Sequence, residues 1–209
     1  MIILSETIKR IRKEACIEFT EKRSDFIAFA TVVTSEAEAL RIIKKKKKEY
    51  YDAKHNVYAY VIGKDIARYS DDKEPQGTAG MPVLNAIKMA GITDVLVVVT
   101  RYFGGILLGA GGLVRAYSTA ASLALNAAGE KILEPYKSYI TKVFYNDYGL
   151  MLQELASVNA IVDDTIFSDE INIRYSVREE IADDFEKRVS DVFAGRMKPK
   201  FLGTRIDGK

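Results

Sequence analysis

Five glycines fall within nine residues, shortly after the apolar run DVLVVVT. They are Gly104, Gly105, Gly109, Gly111 and Gly112. Glycines leave backbone N–H groups open to a ligand, and a helix that follows them would point its positive end at a bound anion. Arg101, and Arg115 in the first turn of a helix predicted to begin near Leu113, would add charge-assisted hydrogen bonds. The alternative is that these glycines serve tight turns and close packing. No Gly-Lys-Ser/Thr follows them, so the segment is not a Walker A loop.

A second polar segment, SDDKEPQGTAGMP, is rich in Asp, Gly and Pro and is predicted to be a loop. Its carboxylates, Asp71, Asp72 and Glu74, have the chemistry of a Mg²⁺ site completed by water. They have equally the chemistry to accept hydrogen bonds from loop amides or to cap a helix near Thr78. Both interpretations stay open at the level of the sequence.

His55 is the only histidine, and it lies immediately before a predicted strand. A structural role is favoured over a role as general base or as part of a mixed site with the nearby carboxylates. A catalytic set can be written from Ser70, His55 and Asp71, but their spacing does not support the geometry. Cys16 lies in an apolar strand and is expected to belong to the core.

Two aromatic residues, Tyr102 and Phe103, stand between Arg101 and the first glycine. Aromatic side chains in a loop beside arginine and glycine could stack on a nucleic-acid base. They could equally close the hydrophobic core beneath the loop. We expect one of the two rings to be buried and the other exposed.

The overall charge gives little support to nucleic-acid binding, because 31 Lys and Arg residues face 29 Asp and Glu residues. With a net charge of +2, any RNA contact must be local. The run Lys44 to Lys48 offers one such place. A solvated helix face is the favoured interpretation of this run, and an RNA or ribosome contact is the alternative.

The elements that must position these residues follow from periodicity and turn signals. Strands are predicted for ACIEFT, FIAFATVV, NVYAYVIG, IARYS and DVLVVVT. A helix capped near Thr34 and Ser35 is predicted to run to about Tyr51, and another to run roughly from Val83 to Ala90, where Gly91 stops it. A long small-residue helix is predicted to follow the glycines and to end at Gly129.

Beyond Pro135 the pattern changes to strand, helix, strand, strand, helix, strand, which is the ferredoxin-like βαββαβ order. The sequence therefore predicts two domains, residues 1–132 and 137–209, with a linker at about 130–137. The expected fold class is α+β.

Composition suits a folded cytoplasmic protein. Of the 209 residues, 48% are hydrophobic, so the chain has material for a core. The single cysteine excludes an intrachain disulfide, and no run approaches the ~18 apolar residues of a membrane helix. The start of the sequence has no signal-peptide pattern.

Three segments resemble the hallmarks of the Impact/YigZ family. They are HNVYAY at 55–60, SDDKEPQGTAGMPVL at 70–84 and VVVTRYFGGILLGAGGLVRAYS at 97–118. FIAFA at 26–30 is also similar to the family's first strand. The resemblance implies a first domain like domain 2 of ribosomal protein S5 and a ferredoxin-like second domain similar to a domain of elongation factor G.

The match has departures. Lys73 and Gln76 replace the Gly and Ser of the family's usual acidic loop, and Lys73 cannot adopt a positive φ as cheaply as Gly. Leu107 stands where the family often carries Lys, which removes a cation from the glycine loop. Val57 replaces the Cys of the common HNCYAY form, which removes any thiol chemistry there.

The resemblance implies a link to translation, because eukaryotic Impact proteins restrain a kinase of an initiation factor by competing for its activator. The favoured function is a translation-associated regulator that binds RNA, the ribosome or a translation-related protein, without a cofactor and with turnover left open. The alternatives are an enzyme that binds a phosphorylated small molecule or nucleotide at the glycine loop, and a protein-interaction regulator without nucleic acid. The expected binding residues are His55, Asp71, Asp72, Glu74, Gln76, Thr78, Arg101, Tyr102, Phe103, Gly104, Gly105, Gly109, Gly111, Gly112 and Arg115.

Overall fold

A computed structural model describes residues 7–208, which form two compact units. The first unit comprises residues 8–132, and the second comprises residues 133–208 together with Thr7. Both units combine an antiparallel sheet with helices, which confirms the predicted α+β class. Within residues 7–208, no helix has the length and apolar character needed to cross a membrane.

The first unit is built on a five-stranded antiparallel sheet with the order β2-β3-β6-β4-β5. The five strands of this sheet confirm those predicted from the sequence, and a further strand near the start of the chain, β1, lies outside this sheet. Their bounds are β1 Ile8–Ile11, β2 Ala15–Glu21, β3 Ser24–Val32, β4 His55–Ile62, β5 Ile66–Ser70 and β6 Val95–Tyr102. Its helices are α1 Glu36–Glu49, α2 Gly80–Ala90 and α3 Gly109–Ala128.

Both faces of this sheet are covered, which explains why its central strand β6 is almost continuously apolar. On one face, Val97 and Val99 belong to the larger core, which includes buried residues of α2 and α3. On the other face, Leu96 and Val98 pack with Ile43 of α1 in a smaller core. The small side chains of α3, buried at Ala116, Ala120, Ala121 and Ala124, allow this helix to approach the sheet closely.

The cap predicted for α1 is present, because the Ser35 side chain accepts a hydrogen bond from the Glu38 N–H. The Glu38 carboxylate in turn accepts one from the Thr34 N–H at 2.9 Å, an arrangement similar to a capping box but with the residue before the N-cap as donor. Gly91 and Gly129 cap α2 and α3 with positive φ, as expected.

Two helices begin earlier than the sequence predicts. The first turn of α2 starts at Gly80 rather than Val83, and it includes Pro82, which the first turn of a helix tolerates. The start of α3 lies at Gly109 rather than near Leu113. The low helix propensity of glycine hides this turn in the sequence, so three of the five glycines belong to the helix and not to a loop.

The second unit has the predicted βαββαβ order, with the antiparallel sheet order β10-β7-β9-β8 of the split βαβ arrangement. Its buried face carries Tyr139, Ile173 and Tyr175, which pack with Phe185 of α5. The bounds are β7 Glu130–Val143, α4 Tyr148–Ser157, β8 Ile161–Phe167, β9 Ile171–Arg178, α5 Glu179–Val192 and β10 Lys200–Asp207.

Two sequence expectations about local structure need correction. The boundary between the two units, after Ile132, falls within residues 130–137, where a linker was expected, but these residues lie within the continuous strand β7. Pro135 is compatible with this strand because pairing with β9 begins only at Tyr136. Cys16, expected in the core, is exposed. The alternation of β2 turns Ala15, Ile17 and Phe19 toward the larger core and Cys16 to the opposite face.

Candidate functional site

The acidic segment, the glycine segment and His55 converge on one hollow of the first unit, with a volume of about 400 Å³. We call it the α3 hollow, because the start of α3 forms one of its walls. It is lined by Lys54, His55, Lys73, Glu74, Pro75, Arg101, Phe103, Leu107, Leu108, Gly109, Ala110 and Leu113.

The sheet register explains why these distant segments meet. Strands β4 and β6 are antiparallel neighbours, and His55 at the start of β4 pairs with Arg101 at the end of β6. The segment after β5 leaves the sheet near the same end of these strands, because Ser70, the last residue of β5, pairs with Tyr58 of β4. Six residues, 103–108, separate the end of β6 from the start of α3 at Gly109.

A buried ion pair forms the floor of the α3 hollow. Arg101 Nη1 donates to Glu74 Oε1 at 2.7 Å, and the two side chains are only 5% and 4% exposed. The Tyr117 hydroxyl donates to the same oxygen at 2.8 Å, and His55 Nε2 lies 3.7 Å from it. Burial and the Glu74 carboxylate raise the pKa of Tyr117, so this hydroxyl stays a donor.

The Arg101 guanidinium is held on several sides. Its Nη2 donates to Ser24 Oγ at 3.2 Å, and its central carbon lies 5.6 Å from the ring centroids of both Phe26 and Phe103. Among the described residues, no atom accepts a hydrogen bond from Arg101 Nε, although this atom is buried.

The rim of the α3 hollow combines an aromatic ring with two cations. Phe103 is 39% exposed, and Lys54 Nζ lies 5.0 Å from its ring centroid. Lys73 of the acidic loop also lines the hollow, and its backbone φ angle is +70°. No carboxylate of residues 7–208 lies within ion-pair distance of Lys54 or Lys73. The rim is thus locally cationic, although the whole chain carries a charge of only +2.

The two aspartates of the acidic loop serve the fold. Asp71 accepts hydrogen bonds from the N–H groups of Gly77, Ala79 and Gly80 and so closes the loop onto the start of α2. Asp72 accepts from the Asn56 N–H at 2.6 Å and pairs with Lys47. Among residues 7–208, no group of three or more His, Cys, Asp or Glu is arranged to hold a metal ion. The Mg²⁺ alternative for this loop therefore has no support in the geometry.

Three other expected binding residues lie outside the hollow lining. Thr78 is buried, and its hydroxyl donates to the Pro75 carbonyl at 2.6 Å. Gln76 is exposed beside it. Tyr102 is partly buried, and its hydroxyl donates to Asp52 at 2.8 Å. Phe103 is thus the more exposed of the two neighbouring rings.

The five glycines of the glycine segment are accommodated for different structural reasons. A Cβ on Gly104 would lie 1.7 Å from the Arg23 carbonyl oxygen, so this glycine permits contact with the β2–β3 turn. Gly112 faces the Leu108 side chain. A Cβ at Gly105 or Gly109 would meet nothing within 4 Å, but both have positive φ. A Cβ at Gly111 would meet only an Arg115 nitrogen at 3.6 Å, so packing does not require it.

Of these glycines, only Gly109 lines the α3 hollow. Arg115 lies in the second turn of α3, because this helix begins earlier than predicted, and it is not part of the lining. The lysine run is partly engaged within the protein, since Lys46 pairs with Glu49 and Lys47 with Asp72. The RNA alternative for this run stays a prediction.

Sequence reasoning missed Lys54 and the two hydroxyls that hold the buried pair, those of Ser24 and Tyr117. The antiparallel pairing of β4 with β6 was the available signal for Lys54, because it puts the residue before His55 beside the residues after Arg101. Nothing local marks Tyr117, which lies 43 residues from Glu74 in the chain.

Comparisons with known proteins match both halves of the chain. The model of the Impact N-terminal domain matches residues 22–125, and a domain of unknown function, DUF1949, matches residues 141–196. The chain is 36% identical to the IMPACT family member YvyE of Bacillus subtilis, over 86% of this chain and 83% of that protein.

Two further proteins extend these matches. The chain is 35% identical to the IMPACT family member YigZ of Escherichia coli, over 60% of this chain and 63% of that protein. A crystal structure described only as that of a hypothetical protein matches with a TM-score of 0.61 and 25% identity, and it covers 96% of this chain and 99% of its own.

Proposed function

The chain belongs to the Impact family, and from this premise we propose that it is a translation-associated protein that binds RNA in the α3 hollow, in the cytoplasm and on or near the ribosome. The observation that carries the proposal is the half-exposed ring of Phe103 with Lys54 Nζ 5.0 Å from its centroid, above the buried Arg101. An aromatic platform beside cations is how proteins hold a single-stranded base together with its phosphate.

The charge of the hollow supports an anionic ligand. Among the described residues that line it, Glu74 is the only carboxylate, and Arg101 compensates its charge at 2.7 Å. Lys54 and Lys73 then leave an excess of two positive charges on the rim. Because the surplus is confined to one hollow, it is compatible with the nearly neutral composition of the chain.

We expect the protein to sediment with ribosomes, or to bind single-stranded RNA, increasingly as salt is lowered, because phosphate contacts release counterions. Phe103→Ala removes the stacking ring and should weaken binding by about 1–3 kcal/mol, roughly five- to 150-fold. Lys54→Gln removes one cation and should reduce the slope of log K against log salt by about 1. Fluorescence anisotropy with a labelled RNA and ribosome sedimentation across a salt series measure both effects.

The matched control is Lys88→Gln, because Lys88 is an exposed lysine in the last turn of α2 and does not line the hollow. It should leave the salt slope unchanged. Failure of the wild type to bind either ribosomes or RNA at low salt would contradict the proposal. Equal weakening by Lys54→Gln and Lys88→Gln would show that binding is electrostatic but not located in the α3 hollow.

Lys73→Gly should change stability and binding in opposite directions. Lys73 has φ +70°, a conformation that costs a non-glycine residue about 1–2 kcal/mol, so glycine should stabilise the first unit by up to about 1 kcal/mol. The same change removes a cation from the hollow and should weaken RNA binding. Urea unfolding and anisotropy on the same samples test whether stability rises while RNA binding falls. A variant that is more stable but binds RNA as well as the wild type would show that Lys73 has no role in binding the ligand.

A protein partner is the second candidate, and one observation favours it. Leu107, on the rim of the hollow, is 82% exposed, and its neighbour Ile106 is 40% exposed. Exposed apolar side chains on a loop are typical of a protein contact. Nuclease treatment before the sedimentation experiment separates the candidates, because association that survives it depends on protein.

A further inference from the structure

We infer that the α3 hollow selects RNA over DNA, because two acceptor atoms on its floor, Glu74 Oε2 and His55 Nε2, accept hydrogen bonds from ribose 2′-hydroxyl groups. The inference rests on the proposed function and deepens it, since it names the chemical group that the site recognises. A site that used only stacking on Phe103 and the positive charge of the rim would bind single-stranded RNA and DNA alike.

The carboxylate of Glu74 uses only one of its two oxygens within the protein. Its Oε1 accepts from Arg101 Nη1 at 2.7 Å and from the Tyr117 hydroxyl at 2.8 Å. Among residues 7–208, no N–H or O–H group donates to Oε2, although the Glu74 side chain is only 4% exposed. A buried acceptor without a donor is costly, and the more so when it is charged, so a ligand that donates to this oxygen removes a penalty of the empty site.

His55 provides the second acceptor. Its Nδ1 lies 2.9 Å from the backbone carbonyl oxygen of Asp72, which can only accept, so Nδ1 carries the proton of the neutral ring and Nε2 presents a lone pair. Glu74 Oε1 lies 3.7 Å from Nε2, beyond the range of about 2.7–3.2 Å for an N–H···O hydrogen bond, and it already has two donors. No group of residues 7–208 donates to Nε2, and the His55 side chain is only 8% exposed.

Both acceptor atoms keep surface that a ligand in the hollow can reach. Within residues 7–208, the polar side-chain atoms that are fully enclosed and have no hydrogen-bond partner belong to Arg101, Glu154, Arg178 and Arg205. Glu74 Oε2 and His55 Nε2 are not among these atoms, so each retains accessible surface, and both residues line the hollow. The floor therefore offers two neighbouring unused acceptors to a ligand that carries donors.

The charges around these acceptors favour a neutral donor such as a hydroxyl group. Arg101 already compensates the Glu74 carboxylate, and Lys54 and Lys73 add two cations to the lining. An ammonium or guanidinium group that entered the hollow would meet this excess of positive charge. A ribose hydroxyl donates without charge, while the adjoining phosphate is attracted to the two lysines. Carboxylates hold ribose hydroxyls in the same way in dinucleotide-binding proteins.

The test compares oligouridylate with oligodeoxyuridylate of equal length and with the same label. Their bases and phosphates are identical, so a difference in affinity comes from the 2′-hydroxyl group. We expect the full chain to bind the ribose form roughly ten- to 150-fold more tightly at moderate salt, which is the contribution of a hydrogen bond to a charged group. An oligouridylate with 2′-fluoro sugars adds no bulk and keeps the sugar pucker of RNA but cannot donate, so it should bind as weakly as the deoxy form.

The variant that probes the neutral acceptor is His55→Asn. The asparagine amide can still donate to the Asp72 carbonyl from near the place of Nδ1, but no atom replaces Nε2. The preference for the ribose form should fall by about two- to tenfold, whereas His55→Gln, whose amide oxygen reaches the place of Nε2, should retain most of it. Phe103→Ala is the matched control, because the two oligonucleotides carry the same base and should be weakened equally. Urea unfolding of each variant verifies that the first unit is folded.

The outcomes separate this inference from the proposed function. If the ribose and deoxy forms bind equally, or if the 2′-fluoro form binds as tightly as the ribose form, recognition of the hydroxyl is wrong while RNA binding stands. An unchanged preference in folded His55→Asn overturns the role of this histidine, and if that variant does not fold, the three oligonucleotides on the wild type still decide. If no oligonucleotide binds at low salt, the proposed function falls and the inference falls with it.

Discussion

Replacing Glu74 with alanine should destabilise the first unit by about 3–5 kcal/mol, because it leaves the buried Arg101 charge without its carboxylate partner. Glu74 accepts from Arg101 and Tyr117 in a place where both members of the ion pair are at most 5% exposed. Without the carboxylate, the Arg101 charge has Ser24 as its remaining side-chain acceptor. The loss should appear as faster hydrogen exchange in β4 and β6 and as a lower urea midpoint, with exchange reporting each unit separately.

Two further variants keep this prediction open to contradiction. Glu49→Ala is the matched control, because Glu49 is 41% exposed and pairs with Lys46 on the surface of α1, where such pairs contribute about 0–1 kcal/mol. Replacing Arg101 by methionine together with Glu74→Ala removes both charges, and it should be less destabilising than the sum of the two single changes. Additive losses, or a Glu74→Ala variant as stable as Glu49→Ala, would mean that the pair does not hold the floor of the hollow.

The elements of the fold were predictable where a local pattern reflects the environment. The strand pattern of β4, the apolar run of β6 and the Ser35 cap of α1 are each local signals of an element or of its end, and the structure places all three as expected. The βαββαβ order of the second unit followed from the same signals. Cys16 shows the limit, since an apolar neighbourhood in sequence does not say which face of an edge strand is covered.

The site was predictable only in outline, because its chemistry depends on pairs that are far apart in the chain. The sequence left Glu74 either as a Mg²⁺ ligand or as an acceptor for loop amides, yet its partners are Arg101, which lies 27 residues away, and Tyr117. Asp71, three residues before Glu74, binds loop amides instead. Adjacent carboxylates in one loop thus have unrelated partners, and only the fold decides which carboxylate faces the hollow.

Two departures from the usual family pattern also depend on residues that only the fold brings together. Lys73 stands where the family form has glycine, and Leu107 stands where it often has lysine. Both residues line the α3 hollow, so the cation absent at one position is present at the other. This exchange keeps the hollow cationic at the expense of a strained backbone at Lys73, and the sequence alone could not show that the two positions share one cavity.

Gly104→Ala should destabilise the first unit by an amount similar to that of Glu74→Ala and should also abolish RNA binding. The new Cβ would lie 1.7 Å from the Arg23 carbonyl oxygen and 2.1 Å from its carbonyl carbon. Both are backbone atoms of the tight β2–β3 turn, where Lys22 and Arg23 already have positive φ, so no side-chain rotation relieves the clash. The segment after β6 must move away from the turn, at a cost of about 3 kcal/mol or more.

The functional loss follows from position, because Gly104 directly follows Phe103 and its contact with Arg23 fixes the ring over Arg101. Gly111→Ala is the matched stability control in the same unit, since its Cβ would meet no atom closer than 3.6 Å and its backbone is helical. Alanine there should be neutral or stabilising by up to about 1 kcal/mol. Urea unfolding of the two variants decides the point: similar midpoints would mean that the β2–β3 turn yields easily, and that something other than this close approach holds Phe103 at the rim of the hollow.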